Sequence, residues 1–133
     1  MQLTLDLDSE VPIYQQIRDR IVEAIAGGVL ATGAPLPSTR QLGVDLAINF
    51  HTVNKAYDLL RQQGFIRINR KSGAVVRRDP LSGTPEAAFP DEWQSRLRTL
   101  LAEAVAQGLH PQEVQQRVST VLDSFATPKG SLT

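Results

Sequence analysis

The sequence predicts a mainly α protein with a small β-hairpin, organised as two modules. Three observations lead there. Three stretches with helical apolar spacing come first, and the second and third are joined by very few residues. Two short runs rich in β-branched residues follow, on either side of a basic turn. After a stretch rich in Pro, Gly and Ser, two more helical patterns complete the chain with no strand between them.

Leu3, Leu5 and Leu7 alternate with polar residues, so residues 2–7 read as a short strand. Pro12 suits the first turn of a helix, with Ser9 or Glu10 just before it. Ile13, Ile17, Ile21 and Ile25 recur every four residues, with Tyr14 and Val22 beside them. This is an amphipathic helix, and Gly27-Gly28 closes it. Residues 29–37 hold Gly33, Pro35 and Pro37 and read as a loop. The two prolines push Ala34 and Leu36 into extended geometry.

Ser38 opens the second helix, and Ser38-x-x-Gln41 has the capping-box spacing. Leu42 and Leu46 face inward. Asn49 suits the N-cap of the third helix. Val53, Ala56, Tyr57 and Leu60 form its buried stripe, and Gly64 stops it. The opposite side shows His51, Asn54, Lys55 and Asp58. A helix with one apolar side and one side of hydrogen-bonding residues can pack on a domain and offer its outer face to base edges in a DNA major groove. Phe65-Ile66-Arg67-Ile68 and Ala74-Val75-Val76-Arg77 read as two strands. Residues 69–73 form a basic hairpin tip in which Gly73 can supply a positive φ. Three helices and a basic hairpin make residues 1–78 a winged helix-turn-helix.

Residues 79–90 read as a linker, from Asp79-Pro80-Leu81-Ser82-Gly83-Thr84-Pro85 onward. Residues 91–126 read as a helical hairpin. Its first helix starts with acid at Asp91 and Glu92, as the helix dipole favours, and Gly108 ends it. Pro111 opens the second helix. Trp93, Leu97, Leu100, Leu101 and Val105 give one apolar face, and Val114, Val118, Val121, Leu122 and Phe125 the other. Residues 127–133 read as a frayed tail. A hairpin this small buries too little to be stable alone. Its faces need either the first module or a second copy, and the linker favours a two-helix dimerisation hairpin that pairs into four helices. Trp93 is expected as an interface or linker anchor.

Composition narrows the function. The chain has 133 residues, no cysteine and 41% apolar residues. Disulfides and thiolate chemistry are excluded, and the apolar share is that of a globular chain. No apolar run is long enough for a membrane span, no signal segment is evident, and a cytoplasmic location is expected. Net charge is zero, but it is unevenly spread. Residues 36–78 hold eight basic and two acidic side chains, a net of +6, and the segments on either side are each −3. A basic centre between acidic ends is the footprint of a phosphate-binding segment. The only histidines, His51 and His110, are far apart and in different modules. No nucleophile–base pair, paired carboxylates or phosphate-cradling Gly loop is legible. Neither a metal, nor a cofactor, nor an enzyme activity is expected.

Several quoted stretches, in order, resemble the GntR family of bacterial transcription regulators: Pro12-Ile13-Tyr14-Gln15-Gln16-Ile17, then residues 33–42 from Gly33 to Leu42, then 49–57 from Asn49 to Tyr57, then Gln63-Gly64-Phe65-Ile66, then 70–76 from Arg70 to Val76. The resemblance covers roughly residues 10–77. The short two-helix end is similar to the small YtrA-type subfamily, whose hairpin dimerises. The resemblance implies a homodimeric, sequence-specific regulator, usually a repressor, bound to a double-stranded DNA operator. Relatives often have Arg or Pro where Phe50 stands, often a second Arg near Asn54, and two glycines in the wing where Lys71-Ser72 replaces the first.

On that reading the residues expected to meet DNA are Ser38, Arg40, Asn49, His51, Thr52, Asn54, Lys55, Arg70, Lys71, Ser72 and Gly73. The resemblance places Arg40 against DNA, and a cation in the first turn opposes the helix dipole, so it adds little to folding. Ser38 serves as cap and as phosphate donor. Thr52 and the helix N-terminal amides suit a phosphate. Asn54 can pair bidentately with adenine, Lys55 can reach guanine or phosphate, and His51 can donate to a base or backbone oxygen. Arg70, Lys71 and Ser72 suit phosphates or the minor groove. Phe50 either packs in the turn or touches a thymine methyl. A small-molecule effector stays open as a partner. So does a second reading, in which the winged helix is a protein-interaction module without specific DNA binding.

Overall fold

The computed structural model describes residues 2–71 and 73–130, the side chains of 126–130 excepted. Its elements run α1 (Ile13–Ala26), α2 (Thr39–Leu46), α3 (Phe50–Gln62), β1 (Ile66–Asn69), β2 (Gly73–Val76), α4 (Phe89–Ala106) and α5 (Pro111–Gly130). The chain divides into two compact units, with the boundary along the sequence between Ser82 and Gly83.

The first unit is built on the isoleucine ladder of α1. Ile17 and Ile21 are fully buried and Ile25 nearly so, against Leu42 of α2 and Val53, Ala56, Tyr57 and Leu60 of α3. Each Ile, Leu and Val among them contributes about 1.5–3 kcal/mol on burial. Tyr57 carries a hydroxyl into this core and donates it to the Pro37 carbonyl at 2.8 Å, which ties α3 to the loop before α2. Burial pushes the phenol pKa well up, so the hydroxyl keeps its proton and the bond persists.

The strand expected over residues 2–7 does not form. Leu3 and Leu5 do pack against the core, while Leu7 is exposed. Alternation reports which side chains face inward, not whether a neighbouring strand is there to pair with. The buried Gln16 side chain takes that role: it accepts from the Asp6 amide at 2.8 Å and donates to the carbonyls of Asp6 and Val11 at 2.9 Å. Conversely, the loop 29–37 pairs more than expected. Gly33 donates to Val76, Leu36 to Ala74, and Val76 to Ala34, at 2.8–2.9 Å. The proline-enforced extension of Leu36 presents its amide to β2, and Pro35 and Pro37 have no N–H that would need an acceptor. β1 and β2 pair antiparallel, with Ile66 opposite Val76 and Asn69 opposite Gly73. Gly73 sits at φ +71°, the left-handed geometry expected of it.

Four helices end in the same way. At α1, α2, α3 and α4 a left-handed residue is followed by an amide that reaches back five residues, a Schellman closure. Gly28, Gly64 and Gly108 occupy the left-handed position in three of them. In the turn between α2 and α3 it is Ala47, at φ 57°. The Ile48 amide bonds Gly43 at 2.9 Å and the Ala47 amide bonds Val44 at 3.2 Å.

The segment read as a linker is pinned at its start. The Asp79 carboxylate accepts from the Thr32 amide and the Leu81 amide, both at 2.8 Å, and the Asp79 amide donates to Ser82 Oγ at 2.9 Å. These bonds, the one to Thr32 first, hold the Asp79 carboxyl pKa below its usual value. Asp-Pro-x-Ser is a turn-forming sequence, but its bond to Thr32 crosses 47 positions and has no local signal.

In the second unit, α4 starts at Phe89, within the expected linker, and no residue of α4 is buried. α5 runs to Gly130, into the stretch expected to fray. Pro128 and Gly130 argued for an earlier end, but extending an existing helix costs far less than starting one. The expectations for 131–133 lie outside the described residues.

Two outcomes follow from these contacts. A left-handed alanine costs about 1–2 kcal/mol, and glycine's extra unfolded freedom takes back about 0.5–1. Ala47→Gly therefore stabilises the first unit by roughly 0.5–1 kcal/mol, read as a higher melting temperature or denaturant midpoint. Asp79 has a lowered folded pKa, so its contribution is full above the unfolded carboxylate pKa and lost as pH falls through the folded value. The Thr32 amide resonance should therefore titrate at acid pH, and Asp79→Ala should remove that titration.

Candidate nucleic-acid interface

The turn between α2 and α3 seats the start of α3 against the α2 backbone at Gly43. Ser38 caps α2 by accepting from the Gln41 amide at 3.0 Å. The return half of the expected capping box does not form, because the Gln41 side chain donates to Asp45 at 2.8 Å instead. Asn49 caps α3 by accepting from the His51 amide at 2.9 Å. Both caps are exposed, and the Thr52 amide is bonded as well, to the Asn49 carbonyl at 3.0 Å.

Gly43 sets the distance between the helices. A Cβ there would lie 3.1 Å from the Ile48 carbonyl oxygen and 3.2 Å from Phe50 Cα. Only hydrogen fits without moving backbone. A glycine inside a helix pattern is the one sequence signal that could have marked this approach.

Across the gap, the Arg40 guanidinium carbon lies 4.1 Å from the centre of the Phe50 ring. The His51 ring lies 4.2 Å from the same ring, tilted by 34°. Phe50 is half-buried, so of the two readings left open for it the packed one describes its place, and the ring supports side chains of both helices. Arg40 and His51 are exposed, and Arg40 makes no ion pair among the described residues.

Further along α3, Asn54 is exposed and its side chain makes no hydrogen bond among the described residues. Thr52 is half-buried in the first turn. Lys55 is exposed along its stem, but its ammonium is drawn 4.1 Å over the ring of Tyr14 on α1. Such a contact is worth about 0.5–1 kcal/mol at an exposed site, so a phosphate could displace it at small cost. Asp58, the acid on this side of α3, is occupied by Arg61 at 2.6 Å and Gln62 at 2.9 Å. It therefore competes little for an anionic ligand.

The wing tip presents Arg70 and Lys71, both exposed, with the Lys71 amide bonded to Asn69 Oδ1 at 3.1 Å. Gly73 follows in β2. Ser72 lies outside the described residues. Thus Arg40 and His51 meet on the Phe50 ring, Ser38 and Asn49 cap α2 and α3, Asn54 and Lys55 follow on the next turn of α3, and the wing residues stand on their own hairpin of the same unit.

In the second unit the apolar residues of the hairpin are on its surface. Leu100 is 62% exposed and Leu122 61%, and Trp93, Val105, Val118 and Val121 are also uncovered. Leu97, Leu101, Val114 and Phe125 are half-buried. Phe89 joins this exposed set; sequence reading left it in the linker.

Comparison with known proteins fits this architecture. The family model described as "Bacterial regulatory proteins, gntR family" matches residues 13–76. The HTH-type transcriptional repressor YtrA of Bacillus subtilis is 26% identical over 119 residues, which span 90% of this chain and 91% of that protein. The probable rhizopine catabolism regulatory protein MocR of Rhizobium meliloti is 34% identical over 74 residues, 56% of this chain but 15% of that much longer one. Among solved structures, YtrA from Sulfolobus acidocaldarius, described as a GntR-family transcription factor, is 40% identical, with 78% of this chain and 97% of that one covered and a TM-score of 0.61. A structure from Listeria monocytogenes described as a transcriptional antiterminator superposes over 94% of this chain and 92% of its own, with a TM-score of 0.85. At 24% identity that likeness shows the fold alone.

Proposed function

The chain belongs to the GntR family of bacterial regulatory proteins and is a transcription regulator rather than an enzyme, and from that premise we propose that it acts as a homodimeric repressor on a pseudo-palindromic DNA operator. The observation that carries the reading is the exposed pair Arg40 and His51 on the Phe50 ring, with Asn54 unengaged on the next turn of α3. A guanidinium without an ion pair suits phosphate oxygens. Asn54 supplies the paired donor and acceptor that read adenine. Arg70 and Lys71 follow the backbone or minor groove beside them, with Ser72 and Gly73 completing the tip. Ser38, Asn49 and Thr52 contribute amides and hydroxyls to the phosphates, and Lys55 leaves Tyr14 to join them.

Dimerisation is supported by the hairpin. A 38-residue pair of helices without a single buried residue in α4 cannot stand on its own packing. Leu100, Leu122 and their neighbours form an apolar surface that water disfavours, and a second copy supplies the same surface in return. Two first units so joined would place two copies of α3 in successive major grooves, about 34 Å apart. The YtrA relative is called a repressor, and a protein bound across a promoter blocks it by occupancy alone.

The test is selection of duplexes from a random pool followed by gel-shift titration at two salt concentrations. A two-fold symmetric site bound by two chains is expected, with affinity falling steeply as salt rises. Arg40→Ala should weaken that binding at least tenfold, with helix content and oligomeric state unchanged. Recovery of no sequence, or salt-independent binding, would favour a protein-interaction module instead. For the dimer, sedimentation should give twice the chain mass, and replacing Leu100 and Leu122 together by Glu should give monomers whose winged unit still melts cooperatively. Monomers from the unsubstituted protein at micromolar concentration would refute the dimer.

A further inference from the structure

We propose that Phe50 is a positioning residue: its ring sets the Arg40 guanidinium and the His51 imidazole in place for DNA before DNA arrives. The proposal rests on the reading above that Arg40 meets DNA.

Three features of the site support it. The first is the geometry. Phe50 is the first residue of α3, yet its ring reaches Arg40 on α2 at 4.1 Å and His51 on its own helix at 4.2 Å. Its backbone is seated close on Gly43, where a Cβ would stand 3.2 Å from Phe50 Cα, and the Ile48 amide ties the junction to the Gly43 carbonyl at 2.9 Å. The ring is therefore fixed to the α2–α3 junction and transmits that fixity to two exposed side chains.

The second is electrostatic. Arg40 is in the first turn of α2, where the helix dipole repels a cation. Some favourable contact has to hold it. A carboxylate would do so but would cancel the charge and occupy the donors a phosphate or guanine needs. An aromatic face attracts the cation through its quadrupole and uses none of its five N–H groups. With the guanidinium over the ring, those donors remain available to a ligand. Arg40 indeed has no ion pair among the described residues.

The third is entropic. A free arginine side chain loses much rotamer freedom when it is fixed. Fixing it in the unbound protein removes part of that cost from the binding step. The imidazole gains likewise from its stack on the ring.

The test compares Phe50→Leu, Phe50→Tyr, Arg40→Ala and the double variant Arg40→Ala/Phe50→Leu on the selected operator at low salt. Leu keeps the volume in the turn but offers no ring face; Tyr keeps the face. Phe50→Leu should weaken binding about fivefold per half-site, Phe50→Tyr should bind as the unsubstituted protein does, and adding Phe50→Leu to Arg40→Ala should cost little more. Unchanged binding by Phe50→Leu, while Arg40→Ala is impaired, overturns the positioning role and leaves the DNA reading intact. Unchanged binding by Arg40→Ala overturns both. A readout without DNA guards against a folding defect: the Arg40 side-chain protons should carry an upfield ring-current shift in the free protein, lost in Phe50→Leu and kept in Phe50→Tyr. Absence of that shift in the unsubstituted protein overturns the proposal directly.

Discussion

The missing carbon at residue 43 is the constraint on which the rest of the first unit depends. Because Gly43 has no Cβ, α2 and α3 approach until Phe50 Cα lies close to the helix backbone. That approach forces the chain to reverse within three residues, Ala47 to Asn49. The reversal places Ala47 in left-handed geometry and uses the Gly43 carbonyl as the acceptor for Ile48. It also seats Phe50 where the Arg40 side chain can lie over its ring. A Cβ at residue 43 would push that junction apart by a few tenths of an ångström.

Three cations of this unit lie over rings, while Arg18, Arg20 and Arg61 pair with acids. Arg40 lies over Phe50, Lys55 over Tyr14, and Arg18 at 5.6 Å over Phe65. Aromatic residues make up only 5% of the chain, so this is a large share of them. The acid that falls among these cations on α3, Asp58, is paired with Arg61 within its own helix. The result is a surface whose positive charge is located but not neutralised. That suits a ligand that is itself a dense anion, and it reconciles a zero net charge with a basic centre.

The helices were legible because their signals are local. Isoleucine spacing in α1, the Ser38 and Asn49 caps, the stripe from Val53 to Leu60 and the hairpin at Gly73 all act within a few residues. What sequence could not show was partnership at long range. The alternation of Leu3 and Leu5 was real, but Gln16 rather than a strand completed the backbone bonds. The prolines at 35 and 37 foretold extension, not that Leu36 would bond β2. The reciprocal half of the Ser38–Gln41 box lost to Asp45 one turn on, a competitor at equal reach. In the site, residue types were readable but not their rest positions. Lys55 and Arg40 were placed on the outer faces, and the rings beneath them became visible only when α1, α2 and α3 were assembled.

The Thr32–Asp79 closure changes the length of the tether between the two units. By composition the tether would run from Asp79 to Ala88, ten residues before α4 begins. With Asp79 through Ser82 folded onto the first unit, at most six remain, from Gly83 to Ala88, and the Glu86 carbonyl among them accepts from Phe89. The concentration that one tethered end presents to another falls roughly as the −3/2 power of tether length, so this shortening raises it by about twofold. For a dimer of the kind proposed, a single aspartate would then act as a ruler. It would narrow the range of half-site separations that both first units can span at once, with no contact to DNA of its own.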